Sequence, residues 1–498
     1  MAISTAVDVS AVARVVGIKT TFKDLRGGSI IFLPQRVAVV GQGATASTYS
    51  TVKTQITSAF QAGTTYGFGS PLHLAIKQLF PANGDGVGTV PVTVYPLVDD
   101  ASGVASTGDI TPAGSQTVAA SYQVRINNID SEPFVISVGD TVATIVTAMT
   151  AAINAVLDMP MVAADNTTAV GLTSKWEGTS ANDLVVSVVG STTAGTTFAF
   201  TQPSGGLVNP DVQDALDQVG DVWESLVLNC LNIADTTALD AYSVFGEGRW
   251  GALTRKPLVV FTGNTATTVA NAIAVSDARK TDRTNCVLVE PGGTDLPLVV
   301  AARQLARIAV IANNNPPRDY GSLNASGLTP GLDGVQWTYA QRDQAVKGGS
   351  STIEVKDGVV HLSDIVTFYH PSGDPTPAYR YVVDIVKLQN IIFNLNLIFA
   401  TPEWDGAPLI PDDQPTVNRE AKKPKSAVAA IAALLDSLAL NAIISDPETA
   451  KAATQAAISD MNPKRLDVVT TVQLSGNANI LSVDLDFGFY FGTQPLVV

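Results

Sequence analysis

The sequence predicts an α/β core, interrupted by an inserted β-rich α+β domain and followed by an α+β C-terminal domain that carries terminal arms. Three observations predict it. From Asp211 onward, apolar runs of strand length alternate with helical stretches, the pattern of a parallel sheet. Over residues 99–108 the composition shifts to small and polar residues, and Gly205-Gly206 closes the deviating stretch near residue 207. Residues 15–22 and 480–491 are strand-like in pattern but have no hairpin partner nearby. At 498 residues the chain is too long for a single core, so roughly two to four domains are expected.

Residues 1–33 form the expected N-terminal arm, in which Val16, Ile18, Thr20 and Phe22 define a strand that must find its partner elsewhere, before a break at Gly27-Gly28. Residues 34–100 form the first part of the core. Arg36-Val37-Ala38-Val39-Val40-Gly41 reads as a buried strand by composition and length. A helix over 71–80 places Leu72, Ala75, Ile76 and Leu79 on one face, and an alternating strand follows at 90–95. The inserted domain, 101–207, holds expected strands at 122–126, 133–138, 170–173, 184–189 and 197–200. Its helix, 141–157, is capped by the side-chain oxygen of Asp140 or Thr141.

The second part of the core, 208–370, has helices at 212–223 and 298–312 and strands at 226–230, 258–261 and 285–288. Arg303 and Arg307 fall one turn apart on a polar helix face. The sheet is expected to include 36–41, which makes 101–207 an insertion. A hairpin, 352–356 with 359–362, turns on Asp357-Gly358, a strong two-residue turn signal. The C-terminal domain, 371–479, carries helices at 380–399, 426–444 and 447–459 and a strand at 467–473. The last segment, 480–498, is a strand and arm with Val483, Leu485, Phe487 and Phe489 on one face and a solvated Asp484 and Asp486 on the other.

Composition excludes several function classes. Hydrophobic residues make up 46% and charged residues 15%, a globular rather than disordered balance. A formal net charge of −15 argues against coating nucleic acid, which needs clustered Lys and Arg to displace counterions. Cys230 and Cys286 match no metal or redox spacing and read as reduced core thiols. No secretory signal pattern opens the chain. The stretches 381–400 and 427–445 contain charges and lack the ~20 uninterrupted apolar residues of a spanning helix, so no membrane insertion is expected.

Candidate chemistry is sparse. Gly41-Gln42-Gly43-Ala44-Thr45-Ala46 follows a strand and matches a weak dinucleotide fingerprint, the basis for an alternative reading as a nucleotide-cofactor oxidoreductase. No Asp or Glu lies between Ala44 and Gly84 to hold a ribose, so a tight post-strand turn is the better reading. His73, His361 and His370 are scattered without ligand-spaced carboxylates, and no P-loop or nucleophile elbow occurs. No catalytic, cofactor-binding or metal residue is therefore assigned. Richness in Thr, Ser and Gly with acidity also fits a surface-layer or adhesin protein. The basic run Arg419, Lys422, Lys423 and Lys425 precedes a helix N-terminus, where the helix dipole disfavours cations, and suggests an acidic partner surface.

Taken together, several segments resemble the tail sheath proteins of contractile, Mu-like bacteriophages. They are Val138-Gly139-Asp140-Thr141, Gly178-Thr179-Ser180-Ala181-Asn182-Asp183, Asn209-Pro210-Asp211-Val212, Gly220-Asp221-Val222-Trp223, Arg249-Trp250-Gly251 and the hairpin at Asp357-Gly358. The resemblance runs over about residues 34–491, with a departure at Val346-Lys347-Gly348-Gly349-Ser350-Ser351 before the hairpin. It implies a subtilisin-like core without catalytic residues and subunits that form hexameric rings stacked around a tail tube. It also implies arms that add strands to the C-terminal domains of neighbouring subunits. Contraction of the stack would drive the tube through the host envelope. The implied partners are further copies of the chain, the tube protein, and baseplate and tail terminator proteins, with assembly in the host cytoplasm and a final place in the virion tail. The basic run would face the tube.

Overall fold

The apolar run after Pro34 becomes the centre of the protein. In the computed structural model, which describes residues 30–489, β1 (Val37–Gln42) is buried at all six positions. A strand covered on both faces needs such a continuous apolar run. Beyond it come β2 (Thr54–Ile56), α1 (Ala59–Tyr66), α2 (Pro71–Leu79) and β3 (Val92–Leu97). The Ser58 and Ser70 hydroxyls cap the two helices by accepting from the N–H groups of Gln61 and His73 at 3.2 and 3.3 Å. β3 pairs parallel to β1, and β2 lies antiparallel on β3.

The chain then leaves the sheet. β4 (Ala105–Gly114), β5 (Ala120–Ile126), β6 (Ile129–Asp130), β7 (Phe134–Ile136), α3 (Val142–Asn154), β8 (Met161–Asp165), β9 (Val170–Glu177), β10 (Val186–Gly190) and β11 (Thr196–Ser204) form a module of their own. One of its sheets runs β11-β4-β9-β8, and in the other β5 pairs with β10, β6 and β7. Ile145, Val146, Met149 and Ile153 of α3 are buried in its interior. Thr141 supplies the cap of α3, its hydroxyl accepting from Thr144 N–H. The neck closes where Val104 and Leu207 exchange backbone hydrogen bonds at 3.0 and 3.2 Å.

After the neck follow α4 (Gln213–Val219), β12 (Leu226–Asn229), α5 (Thr236–Arg249), β13 (Val259–Asn264), α6 (Val269–Asp277), β14 (Asn285–Val289) and α7 (Pro297–Asn314). The six-stranded sheet runs β14-β13-β12-β1-β3-β2, parallel except for β2. Side chains alternate between its faces: Val37 and Val39 pack with α2 and α7, and Ala38 and Val40 pack with α4 and α5. Gly263 is fixed by this packing, because a Cβ there would lie 1.6 Å from Pro297 O. Gly263→Ala is expected to destabilise by 3 kcal/mol or more, on the order of a severe overpacking change, read as a lowered urea midpoint.

Arg303 and Arg307, one turn apart on the polar face of α7, are held inside the protein. Arg303 is 1% exposed. Its Nη2 donates to Asp85 Oδ2 at 2.7 Å and its Nε to Ser326 O at 2.7 Å, and Arg307 pairs with the same carboxylate. The Asp85 loop folds over α7, which turns two cations into an internal clasp.

α8 (Tyr339–Lys347), β15 (Ile353–Lys356), β16 (Val359–Leu362) and α9 (Val382–Phe399) complete this part. Asp357 and Gly358 both have positive φ, 52° and 74°, as the two-residue hairpin turn requires. By length and composition α9 could cross a membrane. Here its Val382, Val383, Ile385 and Val386 are core residues.

The chain divides into two compact units. The large one comprises residues 32–393 and 476–489, and the small one residues 30–31 and 394–475. The expected C-terminal domain at 371–479 is thus corrected at both ends. Residues 371–393 stay with the core because Thr367 N–H donates to Arg380 O at 2.8 Å and the first half of α9 is buried there. The small unit holds α10 (Pro424–Leu440), β17 (Ile444–Ser445), α11 (Pro447–Ala453), β18 (Gln455–Ile458), β19 (Leu466–Val469) and β20 (Gln473–Leu474). Ile431, Leu434, Leu435 and Leu438 form the buried side of α10. The third helix expected at 447–459 stops at Ala453, and the chain turns into β18, which pairs with β19.

Candidate functional site

In an open parallel sheet, ligands bind beyond the carboxyl ends of the strands, where strand order reverses. That point lies between β1 and β12, and the backbone N–H groups that follow β1 there are taken up by the chain itself, beside a cavity of about 760 Å³ lined by Ala44, Thr45, Lys175 and Glu177. Gly43 N–H donates to Tyr49 Oη at 3.0 Å, Ala44 N–H to Tyr66 O at 2.7 Å and Thr45 N–H to Lys175 O at 2.8 Å. The Gln42 amide donates to Asp99 Oδ1 at 2.6 Å and Glu177 O at 2.7 Å. Lys175 and Glu177 belong to β9 of the inserted module, so the module is seated on the post-β1 turn. Both glycines answer to packing. A Cβ on Gly41 would lie 2.7 Å from Cys230 Cβ, and one on Gly43 would lie 2.3 Å from the Tyr49 ring. Of the N–H groups that would cradle a pyrophosphate in a dinucleotide site, those of Gly43 and Ala44 bond the core at Tyr49 and Tyr66, and that of Thr45 holds the module.

The titratable groups are placed as structure rather than as chemistry. His73 is buried, accepts from Gly69 N–H through Nδ1 at 3.1 Å, and has its pKa lowered by burial. His361 and His370 lie against the backbone carbonyls of Val359 and Phe368. Both cysteines are free and buried. Burial pushes the Cys286 thiol up to about 12 and the Cys230 thiol higher still. Among the described residues, no three His, Cys, Asp or Glu side chains group as a metal site.

One acidic pair stands out. Glu290 follows β14 and is fully buried, with neither carboxylate oxygen hydrogen-bonded within the protein. Burial, then the charge of Asp295, raises its pKa to about 9. Asp295 is also raised by burial, and accepts from Thr329 N–H at 2.7 Å. Between them, Thr294 is held by the module, its carbonyl accepting from Asn127 Nδ2 at 3.0 Å and its hydroxyl donating to Asn128 Oδ1 at 2.8 Å.

The other candidate residues lie at the chain ends and before α10. Val16, Ile18, Thr20 and Phe22 lie outside the described residues. Val483, Leu485, Phe487 and Phe489 are described and are 77–86% exposed, as are Ile480 and Leu481. The segment 480–489 belongs to no strand of this chain. Asp484 and Asp486 are therefore not the solvated side of a formed strand; both sides of the segment are open.

The basic run does not form one open patch. Lys422 is buried, pairs with Glu403 and lies 5.4 Å from the centre of the Trp404 ring. Lys423 Nζ donates to Asp412 O at 3.2 Å. Arg419 and Lys425 are exposed. The sequence could not reveal this, because Glu403 and Asp412 approach through loop geometry.

Comparison with known proteins shows what the chain resembles. No family model matches the chain. It is 24% identical over 354 residues to the Mu-like prophage FluMu tail sheath protein of Haemophilus influenzae, a match covering 69% of this chain and 70% of that one. A chain in the contracted-state baseplate of the anti-feeding prophage superposes with a TM-score of 0.50 at 11% identity, covering 95% of this chain and 99% of that one. The sheath tail protein Lin1278 from Listeria innocua gives a TM-score of 0.47 at 14% identity, covering 91% and 94%. This chain is thus similar in sequence to a Mu-like tail sheath protein and in fold to solved sheath-type chains.

Proposed function

We propose that the chain is the structural subunit of a contractile phage tail sheath, polymerising as stacked hexameric rings around a tail tube. On contraction the stack drives the tube through the host envelope for genome ejection. Subunits assemble in the host cytoplasm and end in the virion tail, between baseplate and terminator proteins. The observation that carries this reading is the open segment 480–489, whose large apolar residues recur with strand period and lie in water. Exposed apolar residues in such a row mark an interface. A strand-like segment that pairs with no strand among the described residues is suited to completing a sheet in another copy.

The chain offers a receiving surface and blocks others. β18 and β19 form a two-stranded sheet, and an isolated hairpin of that size is marginal alone. Its unpaired edges in a neighbouring copy are the natural seat for the segment. Two of the module's edge strands, β8 and β10, are by contrast each met by a side chain. The Asn154 amide bonds both the N–H and C=O of Ala163 in β8, at 3.0 and 2.8 Å. Gln202 does the same to Val186 in β10, at 2.9 Å each way. Strand addition is thereby directed away from those two edges. Electron microscopy of purified protein tests the reading: tubes or stacked rings support it, and monodisperse particles at all concentrations overturn it.

The exposed members of the basic run, Arg419 and Lys425, are the ones left to face an acidic tube. Reversing both to Glu should leave folding intact, as surface changes usually do to within ~0.5 kcal/mol. Tube-templated assembly should weaken severalfold, most strongly at low salt, where charges are least screened. Lys422→Glu should instead unfold the small unit by placing a carboxylate against Glu403. Unchanged assembly by the Arg419/Lys425 double variant at every salt concentration would remove the tube-facing assignment.

A further inference from the structure

The open segment does not simply trail from the small unit. The chain enters that unit after Phe393 and returns to the large unit at Gly476. One residue later it is gripped. Asn477 Nδ2 donates to Pro317 O at 2.8 Å, and Asn477 Oδ1 accepts from Lys387 Nζ at 2.7 Å. Lys387 projects from α9, is fully buried, and also donates to Asp384 Oδ1 at 3.0 Å. Asn479 N–H then donates to Asn477 O at 3.0 Å. Residues 477–480 form one wall of a groove of about 520 Å³ whose other side includes Arg318, Asp319 and Tyr381. From Ile480 onward the chain is open.

Hydrogen bonds to a buried charge are the strong ones, and depriving a buried ammonium of a partner is costly. The root of the segment is therefore fixed in register at one residue, four positions before its apolar alternation starts at Leu481. We propose that the Lys387–Asn477 grip is the anchor through which a segment held by a second copy of this chain tethers the large unit. Lys387 and Asn477 are positioning residues for that interaction. Tension on the segment is carried into α9 and the loop at Pro317, and bypasses residues 394–475. This rests on the strand-donation reading above.

The test uses the full-length chain with Asn477→Leu and with the double change Lys387→Met/Asn477→Leu. The double variant removes the buried charge together with its partner, so it reports on anchoring even where the single variant fails to fold. In unassembled protein, hydrogen exchange at residues 476–481 should accelerate about tenfold or more, the equivalent of losing one hydrogen bond to a charged group. The rest of the large unit should keep its protection. The concentration needed for polymer formation should rise by a similar factor. Unchanged exchange and an unchanged critical concentration in the double variant would overturn the anchor. A chain ending at Asn479 separates the two ideas. If it fails to polymerise while the double variant polymerises normally, only the anchor is lost; if it polymerises normally, the strand-donation reading falls as well.

Discussion

A chain ending at Asn479 is expected to fold, remain soluble and form no tubes at concentrations where the full chain polymerises. Residues 480–489, the described part of the segment removed, form no strand, so the described fold should lose little with them. What disappears is the set Val483, Leu485, Phe487 and Phe489, each about four-fifths exposed in the free subunit. Full burial of a side chain of this size contributes ~1.5–3 kcal/mol, and each ladder hydrogen bond nets ~1 kcal/mol. Even after the ordering entropy of the segment, a loss of ~4 kcal/mol per junction would weaken association roughly a thousandfold. The effect should also have a side. Leu485→Asp with Phe487→Asp should mimic the truncation, because both apolar residues share one face of a period-two strand. Asp484→Asn with Asp486→Asn, on the other face, should assemble normally. Sedimentation and electron microscopy read the result, and rings or tubes of normal diameter from the truncated chain would sink the proposal.

Elements that follow from local chemistry were legible in the sequence. The 37–42 run can only be a strand covered on both faces, Asp357-Gly358 can only be a tight hairpin turn, and Thr141 sits where α3 needs a cap. What escaped was decided by distant partners. β4, with its Thr, Gly and Pro, reads as a boundary loop, yet it becomes a ten-residue strand because β9 and β11 flank it. Gly108 is the clearest sign: a Cβ there would lie 2.6 Å from Thr201 O. α5 has little apolar periodicity and was missed; it is started by Asp235, which accepts from Ala238 N–H at 3.0 Å. Arg303 reads only as part of a polar helix face, because its partner Asp85 lies 218 residues away in sequence. For the candidate site the division is the same. The open apolar alternation at 480–489 is a property of the sequence, whereas the sorting of the basic run into buried and exposed members depends on loop contacts. The Lys387–Asn477 grip joins residues 90 apart, and no local pattern announces it.

The second large effect concerns Glu290. Burial raises its pKa to about 9, far above the ordinary glutamate value of 4.5, so at neutral pH the folded protein holds a proton that the unfolded chain releases. The sign follows from proton linkage: between those two values the native state binds more protons, and stability falls as pH rises, by ~1.4 kcal/mol per unit for one group. Below pH 4.5 both states are protonated, and above 9 both are ionised, so the contribution is flat outside the window. Glu290→Gln keeps the shape of the protonated acid and removes the slope. The variant should match the parent chain near pH 4 and be more stable by on the order of 3 kcal/mol at pH 7. The advantage should widen further toward pH 9. Because Thr294 between Glu290 and Asp295 carries the Asn127 and Asn128 contacts, ionisation should first loosen the seat of the inserted module. Hydrogen exchange near residues 127–128 should therefore rise with pH in the parent chain beyond the intrinsic rate, and not in the variant. Parallel urea midpoints for the two proteins from pH 5 to 9 would show that the buried carboxyl is ionised at little cost.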